Sequence, residues 1–580
     1  MNAAFDQIAG YVATSPLTRS TLRRDQSAHL IRGFVARAGR ALREWGYGLP
    51  IYRQRLRGRH PVQLLGSPDD PAPGNATLGS AIFGGDMLFE GEQHALGDDF
   101  WVRIEKATPE FRTYAHSFHW LQDLAQVNDQ AKARDAAETI MRWWLPYGEN
   151  WSKDVWEAER LSRRLINWLT HAPLILSSSD LIYRSHVLTS IARQARHLAR
   201  VLGDVPLGLP RLYTAAALTL AGLLLPSGAA LLTRGSRALD RSLKDFILPD
   251  GGPASRNTSD AIRAMQLLVL VRGAYTERGE DLPGWVQTTL DKIAPFVRAM
   301  RHGNRAFAQF GGTSAEGGHG ANAVLAASDA KGKAIENAAH SGYQRAALGK
   351  ALLIMDAGPP AEPLLSQKSH ASTAAFEFSV GNDQLIVNVG PASRRGPVPA
   401  LSTLSRTTAA HSALIVDDHN SSKVLDNGRL GAGVSETLTI REEIDEGVRI
   451  RCLHDGYLGR YGVKHERALT LTTDGRTLRG VDKLFGPKLK KLDGKDIVIR
   501  FHLHPGVTAL RVSDGRIALE LRSGNTWIFD VEGGTAEIED SLYLSRPDHP
   551  VPAQQIVVSV ARETQEPPII IWDLSEMDAE

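Results

Sequence analysis

The stretch HASTAAFEFSVGNDQLIVNVGP, residues 370–391, decides how the C-terminal part of the chain folds. Within it, residues 374–380 and 384–389 alternate apolar or β-branched residues with polar ones, which is the pattern of half-buried strands. Similar segments recur downstream, and turn sequences such as Thr473-Asp474-Gly475 separate many of them. The further segments are 412–417, 436–440, 448–453, 467–472, 496–503, 507–512, 517–521 and 526–531. Many short strands separated by turns predict a large antiparallel β-sandwich.

Before residue 360 the apolar spacing is helical instead. Leu161, Leu165 and Leu169 fall on one face of a predicted helix, because residues three and four apart share a face. Helices are predicted at 20–46, 112–127, 130–145, 154–171, 179–202, 211–233, 235–247, 258–275 and 284–300. Pairs of helices at this spacing predict hairpins that build an (α/α) toroid or a helical solenoid.

The two patterns together predict an α+β multidomain protein, with an N-terminal (α/α) toroid followed by a C-terminal antiparallel β-sandwich. We predict a basic N-terminal helical arm at 1–60, the toroid at 61–310, a junction at 311–360 and the sandwich at 361–580. The arm carries eleven arginines against three acidic residues. It is interpreted as a solvated helix packed on the body, and the alternative is a contact with an anionic lipid or polymer.

Composition excludes several classes of protein. Among the 580 residues, 67 Lys and Arg face 65 Asp and Glu, so no global field attracts nucleic acid. A single cysteine, Cys452, excludes an intrachain disulfide and a cysteine-rich metal site. The most apolar stretch, 212–232, is split at Pro226 and is interpreted as buried helices, so no transmembrane segment is expected. The start of the chain does not resemble a signal peptide, which predicts a cytoplasmic protein.

Further stretches point to a family. They are LPDGGPASRN at 248–257, HSGYQR at 340–345, DAGPP at 356–360, SRTTAAHSALIVDD at 405–418 and GRYGVKHER at 459–467. With residues 370–391, they make the chain resemble the heparinase II/III family of polysaccharide lyases. That resemblance implies a toroid followed by a β-sandwich, and cleavage of a linkage beside a uronic acid by β-elimination. It implies an acidic polysaccharide or oligosaccharide as partner, and the periplasm or cell envelope as an alternative location.

The resemblance also implies a metal site made from His, Asp and His in the β-domain. His370 and His411 match the two histidines, and Asn388 stands where the Asp normally falls. A structural Zn²⁺ is therefore the one cofactor that the family suggests, and no redox cofactor is required. Because an amide is a weaker zinc ligand than a carboxylate, the alternative is a buried polar network between two strands.

Three positions depart from the family's catalytic pattern. Leu209-Pro210 stands where some members carry an Asn-His pair, Asp260 lies near the place of the usual Tyr, and Lys368 replaces a His. The predicted catalytic residues are therefore those that could take over these roles: His370, Tyr343, Arg256 and Asn257.

Each of these residues has a role and an alternative. His370 would act as ligand or as acid and base. Arg256 and Asn257 would clamp a carboxylate, or Asn257 would cap the helix that begins at Thr258. Tyr343 would exchange a proton if a nearby cation lowers its pKa, or it would pack between domains.

Four residues are predicted to bind substrate: His119, Trp120, Arg345 and Lys368. Three arginines near Trp156 and Trp168 would meet an acidic polymer or pair with Glu157 and Glu159 on the helix surface: Arg160, Arg163 and Arg164. Most of the eight tryptophans before residue 170 are expected in the core.

Two other function classes remain open. A non-catalytic glycan-binding or scaffold protein would explain the replaced catalytic positions. A glycoside hydrolase would need two carboxylates across a cleft, with Asp250, Glu157 and Asp260 as candidates.

Overall fold

The computed structural model describes residues 46–394, 398–512, 514–560 and 566–577. Most of the predicted arm at 1–60, including most of the helix predicted at 20–46, lies outside the described residues. The chain folds into an N-terminal helical part and a C-terminal part made of antiparallel sheets.

The helices before the sheets are α1 (Pro50–Arg55), α2 (Ala76–Phe83), α3 (Phe100–Arg103), α4 (Pro109–His116), α5 (Trp120–Leu124), α6 (Gln130–Gly148), α7 (Lys153–Trp156), α8 (Ala158–Thr170), α9 (Ala172–Ile175), α10 (Leu181–Val201), α11 (Leu209–Leu224), α12 (Ala229–Phe246), α13 (Thr258–Arg278), α14 (Gly284–Ala299) and α15 (Gly317–Ala327). A hairpin of β1 (Asp86–Phe89) and β2 (Glu92–Ala95) interrupts them. The helices predicted at 130–145, 179–202, 258–275 and 284–300 are confirmed. The span 154–171 is divided at Glu157, and the break predicted between 233 and 235 lies at 225–228 instead. The stretch 112–127 is divided into α4 and α5 at Phe118, which has a positive φ of 56°.

The apolar stretch at 212–232 holds two helices, of which the first is buried and the second begins with exposed residues. It is broken after α11, and α12 begins at Ala229, so the two helices pack as a hairpin. From Leu212 to Leu224 every residue of α11 is buried. No helix within the described part of the chain is both long and apolar enough to cross a membrane.

The remaining strands are β3 (Asn337–Ala338), β4 (Tyr343–Leu348), β5 (Ala351–Asp356), β6 (Phe376–Val380), β7 (Asp383–Val387), β8 (Leu414–Val416), β9 (Ser422–Val424), β10 (Leu430–Gly433), β11 (Thr437–Ile444), β12 (Gly447–His454), β13 (Lys464–Thr472), β14 (Thr477–Phe485), β15 (Ile497–Leu503), β16 (Val507–Arg511), β17 (Ile517–Leu521), β18 (Thr526–Glu532), β19 (Thr535–Arg546), β20 (His549–Ser559) and β21 (Ile569–Glu576). Two short helices, α16 (Leu401–Leu404) and α17 (Leu458–Tyr461), lie between strands.

These strands form two large antiparallel sheets and a small one. The nine-stranded sheet runs β19-β20-β15-β7-β6-β5-β4-β3, with β8 also paired to β15. The eight-stranded sheet runs β11-β12-β13-β14-β21-β18-β17-β16, and β9 pairs with β10. Phe376 of the first large sheet stacks on Trp572 of the second, with ring centroids 5.5 Å apart. The large sheets therefore pack their apolar faces on one another.

The predicted junction at 311–360 is wrong in its second half. β3, β4 and β5 already belong to the nine-stranded sheet, so the sheet part begins at Asn337. Five of the six residues of β5 are apolar, so its sequence lacks the alternation of polar and apolar residues that marks a half-exposed strand. A pattern search based on alternation passes over such a strand.

Candidate functional site

A cleft in the helical part gathers polar side chains from several helices. Residues of α8 that share one face, such as Arg163 and Asn167, form one wall, and Arg263 and Gln266 of α13 form another. α4, the β1–β2 turn and the start of α11 add further residues, and Lys368 enters from the sheet part. The cavity volume is about 570 Å³, and the space opens to solvent. We call this space the cleft.

Two guanidinium groups line the cleft, each held by an acid. Arg163 pairs with Glu159 one turn earlier on α8 at 2.6 Å, and its guanidinium lies 3.9 Å above the ring of Tyr213. Arg263 pairs with Asp260 at 2.9 Å. Both arginine side chains are partly exposed, so both can contact a ligand in the cleft without a movement of their helices.

Lys368 brings a third cation into the cleft. Its side chain is exposed and forms no hydrogen bond or ion pair within the described residues. The positive charge of Arg263 is the main reason that the pKa of Lys368 is lowered. A Cβ at Gly312 would lie 2.4 Å from the Lys368 carbonyl oxygen, so only glycine lets this backbone approach.

His119 and Tyr213 are the groups of the cleft suited to proton exchange. Enclosure by the protein, with the charges of Arg163 and Arg263, lowers the pKa of His119 to about 4. The imidazole is therefore neutral at pH 7, and its ring is exposed to the cleft. Tyr213, in the first turn of α11, lines the same space.

Aromatic and acidic groups line the cleft beside α4. Phe89 stacks on Tyr114 with ring centroids 4.4 Å apart, and Tyr114 lies edge-on to His119 at 6.0 Å. Glu90 and Glu110 project from the β1–β2 turn and from α4. Burial raises the pKa of Glu90, although Ser393 donates a hydrogen bond to its carboxylate.

Arg256 and Tyr343, predicted to be catalytic, lie elsewhere. The Arg256 guanidinium donates to Asp356 at 2.6 Å and to the carbonyl oxygens of Ser341, Gly342, Gly358 and Pro359. Tyr343 donates its hydroxyl to the Arg256 carbonyl oxygen at 2.6 Å. We call this buried contact between helical and sheet parts the seam.

The prediction of a carboxylate clamp and a proton-exchanging tyrosine at these positions is corrected by this geometry. The donors of Arg256 bind the chain's own backbone and Asp356, so none is left for a substrate carboxylate. Burial raises the pKa of Tyr343 even though Arg256 lies 4.7 Å from its ring. Tyr343 packs between the helical and sheet parts, which is the alternative role predicted for it.

Asn257 and His370 are also engaged structurally. Asn257 caps α13, accepting a hydrogen bond from the Ser259 backbone, which confirms the capping alternative. His370 is buried, and burial lowers the pKa of its imidazole well below the ordinary value. Neither residue is among those lining the cleft.

The predicted metal ligands form a hydrogen-bonded network. His370 Nδ1 lies 3.1 Å from His411 Nε2, and His411 Nδ1 lies 2.7 Å from the Thr407 carbonyl oxygen. The Asn388 amide already accepts from the Ser412 backbone and donates to Glu377. A zinc ion here would have two imidazoles and no free third donor, so the residues do not fit the metal well. No cluster of three His, Cys, Asp or Glu residues suited to a metal is found in the part of the chain described.

The predicted substrate-binding residues divide into two pairs. His119 and Lys368 both line the cleft. Trp120 is fully buried and donates its indole N–H to the Ala115 carbonyl oxygen, so that prediction is wrong. Arg345 lies on β4 close to Glu336 and is likewise outside the cleft lining.

Sequence reasoning missed Tyr213, Glu90 and Arg263. Tyr213 stands at the start of a run of apolar residues, where an aromatic residue is predicted to belong to the hydrophobic core. Arg263 lies one turn inside α13, and its spacing to Gln266 and Leu270 was the available signal. Of the three arginines predicted on this helix, Arg163 pairs with Glu159 and also lines the cleft. Arg164 is fully buried and Arg160 pairs with Asp154, so neither follows its prediction.

Comparison with known proteins gives matches of three kinds. Residues 330–573 match the family model described as heparinase II/III-like, C-terminal. A curated relative, FtsZ-localized protein C from Caulobacter vibrioides, is 29% identical over 561 residues, covering 93% of this chain and 95% of the relative.

Solved structures match over most of the chain. Heparinase III has a TM-score of 0.64 at 15% identity, covering 82% of this chain and 78% of its own. A heparan sulfate lyase HepC mutant from Pedobacter heparinus has a TM-score of 0.61 at 15% identity, covering 97% and 92%. At such identity the likeness is one of fold, and it confirms the order of helical part and antiparallel sheets.

Proposed function

The chain belongs to the heparinase II/III family, and from this premise we propose that it is a polysaccharide lyase-like protein whose cleft binds a uronate-containing acidic polysaccharide. The helical hairpins would close as an (α/α) toroid, and the packed sheets would form the β-sandwich beneath it. The observation that carries the proposal is the convergence of three cations, a neutral imidazole and a phenol in one cleft.

The cleft residues suit β-elimination. Arg263 and Lys368 would neutralise the uronate carboxylate, which makes the adjacent C–H more acidic. His119 or Tyr213 would take that proton as the carbon–oxygen bond on the neighbouring carbon breaks. The other would donate a proton to the departing oxygen, leaving a carbon–carbon double bond in the sugar ring. No redox partner is needed.

The test is incubation with uronate polymers while following the ultraviolet absorbance of unsaturated product ends. His119→Ala and Tyr213→Phe should each lower the rate about a hundredfold, the usual size of a proton-transfer contribution. His186→Ala, a change at an exposed imidazole on α10, is the matched control and should keep the rate. Product formation unaffected by both cleft variants would refute the assignment.

A second candidate is a non-catalytic binding protein in cell division. It is favoured by the relative's name and by the structural engagement of Arg256, Tyr343 and Asn257. Under this proposal the chain associates with FtsZ in the cytoplasm. Co-sedimentation of the purified chain with FtsZ polymers, together with saccharide binding but no unsaturated product, would favour it over the lyase.

A hydrolase is not favoured. Glu157 accepts hydrogen bonds from the first backbone N–H groups of α8, and Asp250 accepts from Gly252 and Ser341. Asp260 is bound by Ser255 and Arg263. The three carboxylates therefore have separate structural partners rather than facing one another.

A further inference from the structure

The exposed face of α12 carries three arginines beside an open trough. Arg234, Arg237 and Arg241 follow one another at intervals of three and four residues, so they share one face of the helix. The trough has a volume of about 600 Å³ and opens to solvent. Its other lining residues are Leu202, which directly follows α10, and Ala230, Thr233 and Ala238 of α12. We call this surface the arginine trough.

The protein itself does not use these three guanidinium groups. Each side chain is exposed, and none forms a hydrogen bond or an ion pair with any residue in the ranges that the structure describes. On the neighbouring helices, by contrast, Arg200 and Arg211 donate to backbone carbonyl oxygens. Of the nearby acids on α12, Asp240 is paired with Lys244, and Asp245 lies outside the trough lining. The donors of the arginine trough are therefore available to a ligand.

The spacing of the arginines indicates the charge of that ligand. Like charges three and four positions apart on a helix repel one another, so this row of cations destabilises α12 when nothing is bound. An anionic ligand removes the repulsion. Guanidinium groups bind carboxylates through two parallel hydrogen bonds, which gives both charge and geometry. The arginine trough therefore suits a ligand that carries several carboxylates in a row.

The shape of the trough favours a peptide over a membrane surface. The trough is concave, and the large apolar residue in its described lining, Leu202, is buried, whereas peripheral membrane helices insert exposed apolar side chains. The described lining also has no aromatic ring of the kind on which nucleic acid bases stack.

The length of the arginine row suits an extended peptide. The Cα atoms of Arg234 and Arg241 are about 10 Å apart along the helix axis. Carboxylates on alternate residues of an extended peptide recur about every 6.7 Å, so three of them span about 13 Å. Arginine side chains are long enough to bridge this difference.

We propose that the arginine trough is a docking site for an acidic peptide segment of a partner protein. The segment lies along α12, with glutamate or aspartate side chains against Arg234, Arg237 and Arg241. This surface is separate from the cleft, because the residues described as lining the two have no member in common. The inference therefore does not depend on the proposed function.

The test is fluorescence anisotropy of the full chain with two labelled peptides at low salt. One peptide alternates glutamate with serine, and the other alternates glutamine with serine. The glutamate peptide should bind about tenfold more tightly, since an exposed ion pair contributes about twofold to threefold and three pairs would form. Its affinity should fall as salt is added. Equal binding of the two peptides, or binding of neither, would overturn the proposal.

Substitutions locate the contact. Arg237→Gln should weaken binding of the glutamate peptide about threefold, and replacing Arg234, Arg237 and Arg241 together by glutamine should reduce it to the affinity of the glutamine peptide. Urea unfolding should show no loss of stability in either variant, because like charges have been removed from α12. Arg134→Gln, at an exposed arginine of α6 outside the trough, is the matched control and should keep the affinity.

Three results would contradict the proposal. An equal loss in Arg134→Gln and Arg237→Gln would mean that net charge alone attracts the peptide. A preference for glutamate that survives the triple substitution would place the peptide elsewhere on the chain. Binding of phosphatidylserine vesicles that the triple substitution abolishes, without a preference for the glutamate peptide, would assign the arginine trough to a membrane surface.

Discussion

The seam and the cleft use the same types of residue in opposite ways. The seam contains an arginine, a tyrosine and a neighbouring carboxylate, which are residue types that a lyase needs. However, the side-chain donors of Arg256 and Tyr343 all bind acceptors within the protein. In the cleft, Arg263 keeps part of its side chain exposed, and Tyr213, although buried for most of its surface, lines the same open space. Residue type therefore does not identify a functional site, whereas unused hydrogen-bonding capacity facing an open space does.

The difference also concerns stability. Arg256 and Asp356 are almost fully buried, so each group has lost its water and depends on the other. Arg263 and Arg163 keep solvent around them, so their ion pairs contribute little to folding. Substitutions in the seam should therefore affect stability, and substitutions in the cleft should affect binding.

The largest effect is expected from Arg256→Met. The substitution leaves the buried Asp356 carboxylate without its counter-charge and frees four carbonyl oxygens from their donor. Loss of one partner of a buried pair costs about 3–5 kcal/mol. Urea unfolding would measure this loss. Arg142→Met, which breaks surface pairs with Glu138 and Asp180, should cost less than about 1 kcal/mol. An equal loss of stability in Arg256→Met and Arg142→Met would contradict the structural role assigned to the seam.

The buried side chain of His197 should make the stability of the helical part depend on pH. Burial, with the charges of Arg164 and Arg200, lowers the pKa of His197 to about 4, against about 6.5 in an unfolded chain. Between these two values the unfolded state binds more protons, so stability falls as pH falls below about 6.5. The loss from this residue is about 2 kcal/mol by pH 5.

His197→Gln should therefore give a shallower loss of stability between pH 7 and pH 5. The measurement is the free energy of unfolding in urea at several pH values. His186→Gln, on the same helix but exposed, is the control and should keep the slope of the parent chain. An unchanged slope in His197→Gln would contradict the assignment.

Much of the fold was predictable because its patterns are local. Strands β6 and β7 follow the alternation of residues 374–380 and 384–389, and the helical spacing located the long helices. β5 was missed because its first five residues are all apolar, whereas the equally buried β6 alternates aromatic residues with Glu377 and Ser379. Thus local periodicity locates a strand whose residue types alternate, and it fails where a strand is apolar on both faces.

The site was less predictable, since it depends on which helix faces meet. Sequence placed His119 and Lys368 in the site, and both line the cleft. It also placed Arg256 there, because a guanidinium beside a turn suits a carboxylate. Only the fold brings four carbonyl oxygens and Asp356 around that guanidinium. Proximity of residues that lie about a hundred positions apart is not encoded in local spacing.

A smaller effect is expected from Tyr343→Phe. The change removes one buried hydrogen bond, from the phenol to the Arg256 carbonyl oxygen, and keeps the ring against Phe296 and Phe310. A single buried hydrogen bond contributes about 1 kcal/mol. Urea unfolding should show that loss, while saccharide binding should stay within twofold of the parent. A large loss of saccharide binding with unchanged stability would indicate that Tyr343 contacts the ligand.

The smallest effect on stability, and the largest on binding, is expected from Arg263→Gln. Its partner Asp260 keeps the hydrogen bond from Ser255, so the free energy of unfolding should change by less than about 0.5 kcal/mol. Loss of the guanidinium should weaken binding of an acidic oligosaccharide about tenfold, because the carboxylate loses a charged partner. Calorimetry of binding and urea unfolding on the same preparation separate the two effects. If Arg263→Gln instead lowered the free energy of unfolding and kept its affinity for the oligosaccharide, Arg263 would have a structural role like that of Arg256. The contrast between the cleft and the seam would then be wrong.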